Sequence, residues 1–306
     1  MRTTTSLLCS SAILAAACAV RQAPVPDAPL PDAAPTPEDS RSIPDCDTRA
    51  RWIYLATIEG RLLRFEPDTG TLTPIAPIDC ATRTGAYSMG IDREANAFVR
   101  FGDNAVRRVS TVDGACEGEG PPAGEASFGS YGMAFVGEGE ESEVLYVAGE
   151  RNPLVSDGVW LGRIDGTELT PLARLESPAL AMSPPELTGT ATGELWAYYP
   201  NGSAMTSGTP QLEGLFFRRY DPRTGATLRT IHVTENLPEG WRNDTPGAWA
   251  FAFWGGRFYV FLSQSAEHSQ IFRVRVETGE VERVTADAGY VITGAGVSTC
   301  APTDLI

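Results

Sequence analysis

The stretch Leu215-Phe216-Phe217-Arg218-Arg219-Tyr220, Asp221-Pro222-Arg223-Thr224-Gly225, Thr227-Leu228-Arg229-Thr230-Ile231 reads as a strand, a tight turn and a returning strand. Asp opens the turn, Pro presets φ, and Gly takes the positive φ that closes it. The same element occurs at Leu62-Leu63-Arg64-Phe65, Glu66-Pro67-Asp68-Thr69-Gly70 and Leu72-Thr73-Pro74-Ile75. It occurs again from Ile271 to Val276, with Glu277-Thr278-Gly279 as the turn and Val281 to Val284 as the return. One hairpin recurring from Leu62 to Val284 marks a repeat architecture. The intervening chain has almost no helical periodicity. Its short apolar runs are separated by Gly, Asp, Pro and Thr, which predicts an all-β domain.

A second element precedes each group of strands. Its copies are Tyr87-Ser88-Met89-Gly90-Ile91, Tyr131-Gly132-Met133-Ala134-Phe135, Glu186-Leu187-Thr188-Gly189-Thr190, Trp249-Ala250-Phe251-Ala252-Phe253 and Ile292-Thr293-Gly294-Ala295-Gly296-Val297. Each mixes Gly or Ala with larger residues, as the innermost strands of a ring require where they crowd an axis. Their spacing is roughly 44 to 62 residues, one four-stranded unit plus loops. The hairpins resemble the outer hairpins of quinoprotein-like and NHL-like blade repeats, over nearly all of residues 50 to 300. That resemblance implies a β-propeller and is silent on activity. Five blades are expected. Six are the alternative, should the loops Gly114 to Ser127 or Asn201 to Gly214 hold further strands.

The strand from Tyr290 to Thr299 has no outer strands after it, and the set starting at Trp52 has no inner strand before it. The C-terminal strand is therefore expected to complete the N-terminal blade, removing an open sheet edge. Four cysteines, Cys46, Cys80, Cys116 and Cys300, fall in the domain, and four allow three pairings. Closure selects Cys46–Cys300, at the seam where the chain ends meet, and leaves Cys80–Cys116 by elimination. There is no CxxC and only two His, His232 and His268, so no zinc site is expected.

Upstream, Met1-Arg2 and the apolar run from Leu7 to Val20 read as a secretory signal over residues 1–17, too short to span a bilayer. The run Leu14-Ala15-Ala16-Ala17-Cys18 resembles the lipobox of bacterial lipoproteins, which implies lipidation of Cys18. Ala15 departs from the Leu usual three places before the Cys, and the alternative is a soluble periplasmic or secreted protein. Residues 18–45, rich in Pro, Ala and Asp, read as an extended tether, with one propeller domain over 46–306. By resemblance, Ala19 in place of Asp implies the outer membrane. The inner-strand stretches, with Trp254-Gly255-Gly256 and Ser298-Thr299-Cys300-Ala301-Pro302, also resemble a group of uncharacterised bacterial lipoproteins that brings no catalytic residues.

The chain holds 39 acidic against 24 basic residues, which argues against nucleic acid as a partner. Every basic residue is Arg, since Lys is absent. No phosphate-binding glycine loop, Gly-x-Ser-x-Gly elbow or Asp-x-Asp-x-Asp calcium loop is present, and no cofactor is implied. Asp92, Asp113, Asp165 and Asp221 are read as turn residues. Arg107-Arg108 and Arg218-Arg219 are read as strand-surface charges, and the aromatics Trp249, Phe251, Phe253 and Trp254 as core. Glu186 is the single candidate ligand-binding residue. It opens an inner strand, where its carboxyl can face the central channel. The expected function is a cell-envelope binding or scaffold propeller engaging protein or glycan. The alternative is a hydrolase or lyase acting on a carbohydrate or lactone, for which Glu186 lacks an evident carboxylate partner. Metabolic labelling with palmitate is expected to mark the wild-type chain and not Cys18→Ser; equal labelling of both removes the anchor.

Overall fold

The computed structural model describes residues 46–304 other than 83, 104, 120–127, 140–141, 152–157, 167, 177–183, 201–213, 236, 238–246 and 265–266. The expected signal, Cys18 and the tether lie outside the described residues, as do most of the loops 114–127 and 201–214. Twenty strands form five antiparallel four-stranded sheets. The sheets are the blades of a ring, and the chain is a five-bladed β-propeller.

Blade one holds β1 (Ile53–Thr57), β2 (Arg61–Glu66) and β3 (Thr71–Pro77). Blade two holds β4 (Ala86–Ile91), β5 (Asn96–Phe101), β6 (Val106–Ser110) and β7 (Cys116–Glu119). Blade three holds β8 (Tyr131–Gly137), β9 (Glu143–Glu150), β10 (Val159–Asp165) and β11 (Glu168–Arg174). Blade four holds β12 (Glu186–Gly189), β13 (Leu195–Tyr199), β14 (Leu215–Tyr220) and β15 (Thr227–Val233). Blade five holds β16 (Ala248–Trp254), β17 (Arg257–Ser263), β18 (Gln270–Arg275) and β19 (Val281–Thr285). The last strand, β20 (Ile292–Val297), pairs with β1 from Ile53↔Val297 to Thr57↔Ile292 and completes blade one. β7 lies in the loop from Gly114, where it forms the outer strand of blade two rather than a sixth blade.

The five-residue turns follow from their sequences. The amide of Gly225 donates to the carbonyl of Asp221 at 2.8 Å, that of Gly70 to Glu66 at 2.9 Å, and that of Gly279 to Arg275 at 2.8 Å. Their φ angles of 69°, 69° and 73° are the left-handed values that favour glycine. Asp221 Oδ1 accepts from the amides of Arg223 at 2.8 Å and Thr224 at 3.1 Å, which is why an acid opens the turn. The structure adds a fourth copy at Ser110-Thr111-Val112-Asp113-Gly114, with the amide of Gly114 on the carbonyl of Ser110 at 2.9 Å.

Burial is organised between the blades. Ile53 and Leu55 of β1 pack against Ala250, Ala252 and Trp254 of blade five. Tyr54 and Ala56 of the same strand pack against Met89 and Ile91 of blade two. Five such clusters occupy the five blade junctions. In β16 the two faces differ in size: Ala250 and Ala252 look toward blade one, and Phe251 and Phe253 toward blade four. The aromatics on both faces of this strand are core, as expected. At the axis the inner strands approach so closely that a Cβ on Gly132 would collide with the carbonyl of Pro185, and one on Gly189 with that of Phe135.

The outermost ladder of each blade is irregular, at Leu62/Leu63, Arg107/Val109, Leu161/Gly162, Arg219/Tyr220 and Ile271/Phe272. The outer strands β3 and β11 also carry Pro74 and Pro171. Bulges and prolines bend an edge and remove its donors, which blunts pairing with another chain.

Both expected disulfides are present. Cys46–Cys300 joins residues 254 positions apart with Cα atoms 5.9 Å apart, and Cys80–Cys116 spans 36 positions with Cα atoms at 5.2 Å. Two disulfides place the folded domain in an oxidising compartment. No described helix is long and apolar enough to cross a membrane. In the chain-entropy picture the larger loop restrains the unfolded state more, by about 5–6 kcal/mol against about 4. Thermal unfolding without reductant is expected to show a larger loss for the Cys46→Ser, Cys300→Ser pair than for the Cys80→Ser, Cys116→Ser pair. The reverse order would mean that ring closure holds without the staple.

Candidate functional site

Glu186 is the first residue of β12 and is 2 % exposed, so its carboxyl lies inside the ring. Its Oε2 accepts a hydrogen bond at 2.8 Å from the hydroxyl of Ser88, on the inner strand of blade two. The Ser88 oxygen accepts in turn from the amide of Met133, on the inner strand of blade three, at 3.1 Å. One carboxyl and one hydroxyl thus link blades two, three and four. Burial pushes the Glu186 carboxyl up to about 8, against opposing effects of the Ser88 hydrogen bond and the Arg100 charge. At neutral pH this group is largely protonated.

Beside it stands a cation between two phenol rings. Arg100 pairs with Ser88 across β4 and β5, and is 1 % exposed. Its guanidinium lies 4.8 Å from the ring centroid of Tyr87 and 4.6 Å from that of Tyr131. It also donates to the carbonyl of Gly129 at 3.3 Å. Burial raises the Tyr87 phenol further from ionisation, with the Glu186 charge adding to the effect and Arg100 opposing it. Burial likewise raises Tyr131, again against Arg100. Tyr131 is fully buried, whereas Tyr87 is half-buried. Tyr87, Arg100 and Tyr131 pack together at the end where the inner strands begin, and of the three only Tyr87 is partly exposed.

The opposite end of the ring holds a second polar cluster. Arg93 follows β4, Glu143 opens β9, and Thr299 follows β20. Arg93 Nε donates to Thr299 Oγ1 at 2.9 Å, and Thr299 Oγ1 donates to Glu143 Oε2 at 2.7 Å. The Arg93 amide donates to Glu143 Oε1 at 2.8 Å. Burial raises the Glu143 carboxyl, and its hydrogen bonds from Thr299 and Arg93 counter this. The cluster joins blades one, two and three, and every acceptor in it is used. It is a clasp rather than a site.

Of the residues read from sequence, Glu186 opens the inner strand of blade four and is buried there against Ser88. Asp92 and Asp113 accept from nearby amides in their turns, at Asn96 and Ala115. His268 pairs with Asp287 at 2.9 Å, far in sequence from Glu186 and exposed. Arg218 donates to the carbonyl of Glu176, Arg219 pairs with Glu194, and Arg108 lies 3.7 Å from Glu117. Among the described residues no group of three His, Cys, Asp or Glu could hold a metal ion. Sequence reading missed Arg100. Its signal was a charge inside the apolar run Phe98-Val99-Arg100-Phe101, which only a buried partner can tolerate.

No family model and no curated protein matches the chain. The chain is distantly similar to several solved structures. One is a protein of unknown function from Bacteroides caccae, 11% identical, covering 77% of this chain and 73% of that one, with a TM-score of 0.41. Another is a mutant alpha-L-arabinofuranosidase from Fusarium graminearum in complex with an iminosugar inhibitor, 10% identical, covering 73% and 72%, with a TM-score of 0.39. A third is an alpha-L-arabinanase from Penicillium chrysogenum complexed with arabinobiose, 11% identical, covering 75% and 71%, with a TM-score of 0.42. Likenesses this distant assign no activity to this chain.

The raised Glu186 carboxyl has a measurable sign. At pH well below 4.5, its ordinary value, folded and unfolded chains both hold the proton. Between about 4.5 and 8 the folded chain keeps the proton that the unfolded chain has lost, so Glu186 lowers stability as pH rises, by about 1.4 kcal/mol per pH unit. Above that window both forms are ionised and the slope ends. Glu186→Gln is expected to remove this slope. Paired denaturation curves should show wild type losing stability relative to the variant from pH 5 to 8; a difference that is flat with pH means that Glu186 is ionised in the folded chain.

Proposed function

We propose that the protein is an exported envelope lipoprotein anchored through Cys18 to the outer membrane. Its propeller, with blades of the quinoprotein-like and NHL-like kind, binds an envelope glycan or protein at the end of the ring where Tyr87 is partly exposed. The observation that carries the binding reading is the condition of Glu186. Its carboxyl is buried, protonated near neutral pH, and engaged by Ser88 in holding three blades together. Beside it, the partly exposed Tyr87 is backed by the buried guanidinium of Arg100, and Tyr is among the residues that predominate at binding hot spots.

The hydrolase or lyase reading keeps one specific support. A carboxylic acid that stays protonated near neutral pH is what a general acid must be, and burial is the usual means of making one. The two readings part on turnover. Full-length protein is expected to bind peptidoglycan fragments or an envelope protein from detergent extracts, and to turn over nothing in a panel of glycosides and lactones. Tyr87→Ala is expected to weaken that binding about tenfold or more, as the loss of a hot spot does. Turnover by wild type that disappears in Glu186→Gln would establish the enzyme instead.

A further inference from the structure

A groove of about 370 Å³ opens between blades four and five, at the end of the ring opposite Glu186. That volume is in the range of small-molecule sites. Three guanidiniums line it: Arg229 from β15, Arg257 at the start of β17 and Arg275 at the end of β18. Two of the three are engaged. Arg229 Nη2 donates to the carbonyls of Val276 at 2.8 Å and Glu277 at 3.4 Å, and its guanidinium lies 5.9 Å from the Trp196 ring centroid. Arg275 Nε pairs with Glu280 at 3.3 Å.

Arg257 is different. Its Nε is buried and has no acceptor, and the side chain makes no hydrogen bond or ion pair among the described residues. It also stands directly opposite Arg275 in the β17–β18 ladder. Like charges facing each other across a ladder destabilise it, and a buried guanidinium N–H without an acceptor adds to the cost. An oxyanion in the groove, held by the outer nitrogens of the guanidinium, would offset the facing charges. A planar carboxylate matches a guanidinium with two parallel hydrogen bonds.

The remaining walls limit what carries that carboxylate. Phe253 and Val276 supply apolar surface, while Glu277, Asp304 and Glu194, the last already paired with Arg219, supply carboxylates. Those acids accept from hydroxyl groups and repel a second negative charge. A hydroxyl-rich molecule with one carboxylate satisfies these walls, whereas a dianion meets repulsion. We propose that this groove is a second binding site, taking a sugar acid such as a uronate with its carboxylate on Arg257.

The site is independent of the Glu186 end of the ring, and one titration separates them. Galacturonate, galactose and inorganic phosphate are titrated into the disulfide-bonded propeller and followed by NMR. Galacturonate is expected to bind, with galactose and phosphate at least tenfold weaker. Arg257→Gln should weaken galacturonate at least tenfold, and Tyr87→Ala should leave it unchanged. Without ligand, Arg257→Gln should melt no lower than wild type, because it removes a facing like charge. Equal binding of galactose, tighter binding of phosphate, or full binding by Arg257→Gln overturns the assignment. Should Arg257→Gln fail to fold, Arg257→Lys takes its place, keeping the charge but losing the paired hydrogen bonds, with the same tenfold loss expected and an unchanged affinity overturning the assignment.

Discussion

A four-stranded blade of this chain has two apolar faces and no water-tolerant one. In β1, Ile53 and Leu55 point one way while Tyr54 and Ala56 point the other, and all four are buried. A single blade would leave both such faces in water, and an open row of five would still leave one at each end. Only a closed ring gives every face a partner. The pairing of β20 with β1 is therefore the contact on which the other four junctions depend. Cys46–Cys300 sits at the same seam and holds the two ends of the domain together in the unfolded chain as well.

Closure crowds the axis, and the chain meets that crowding in two ways. Glycine lets inner strands touch where side chains would collide, as at Gly132 and Gly189. Short hydroxyl side chains then satisfy amides across the junctions. Ser88 takes the amide of Met133, Thr188 Oγ1 takes that of Phe253 at 2.9 Å, and Ser269 Oγ takes that of Ile292 at 2.9 Å. Buried polar atoms in a ring have no water to fall back on, so such bonds fix the relative height of the blades. Glu186 belongs to this set by its bond to Ser88. Its unusual proton affinity is a consequence of where closure puts it.

The two ends of the ring are chemically unlike. The end where inner strands begin presents the partly exposed Tyr87 beside a buried arginine and a neutral carboxyl. The other end presents a polar clasp at Arg93, Glu143 and Thr299 across blades one to three, and between blades four and five a groove in which arginines face each other. The protein is strongly acidic overall, with a formal net charge of −15. Local clusters of Arg on such a surface concentrate an anion against the general field, which makes them selective by position rather than by bulk charge.

Architecture was legible in the sequence because its signals are local. Asp221-Pro222-Arg223-Thr224-Gly225 can close only a tight turn, and five small-residue strands at blade spacing can only be inner strands of a ring. The unpaired first and last strands then implied closure, and closure implied Cys46–Cys300. Glu186 was visible for the same reason, as the charged opening residue of an inner strand. What no local pattern carries is the meeting of side chains from different blades. Arg100 between Tyr87 and Tyr131, Arg93 with Glu143 and Thr299, and Arg229 beside Arg257 each join strands separated by connections of varying length. Residue pattern along the chain determined which strands form and which face each turns inward. The tertiary structure alone decided which side chains share a cluster, a clasp or a groove, because those contacts depend on the height and rotation of whole blades set by packing around the ring.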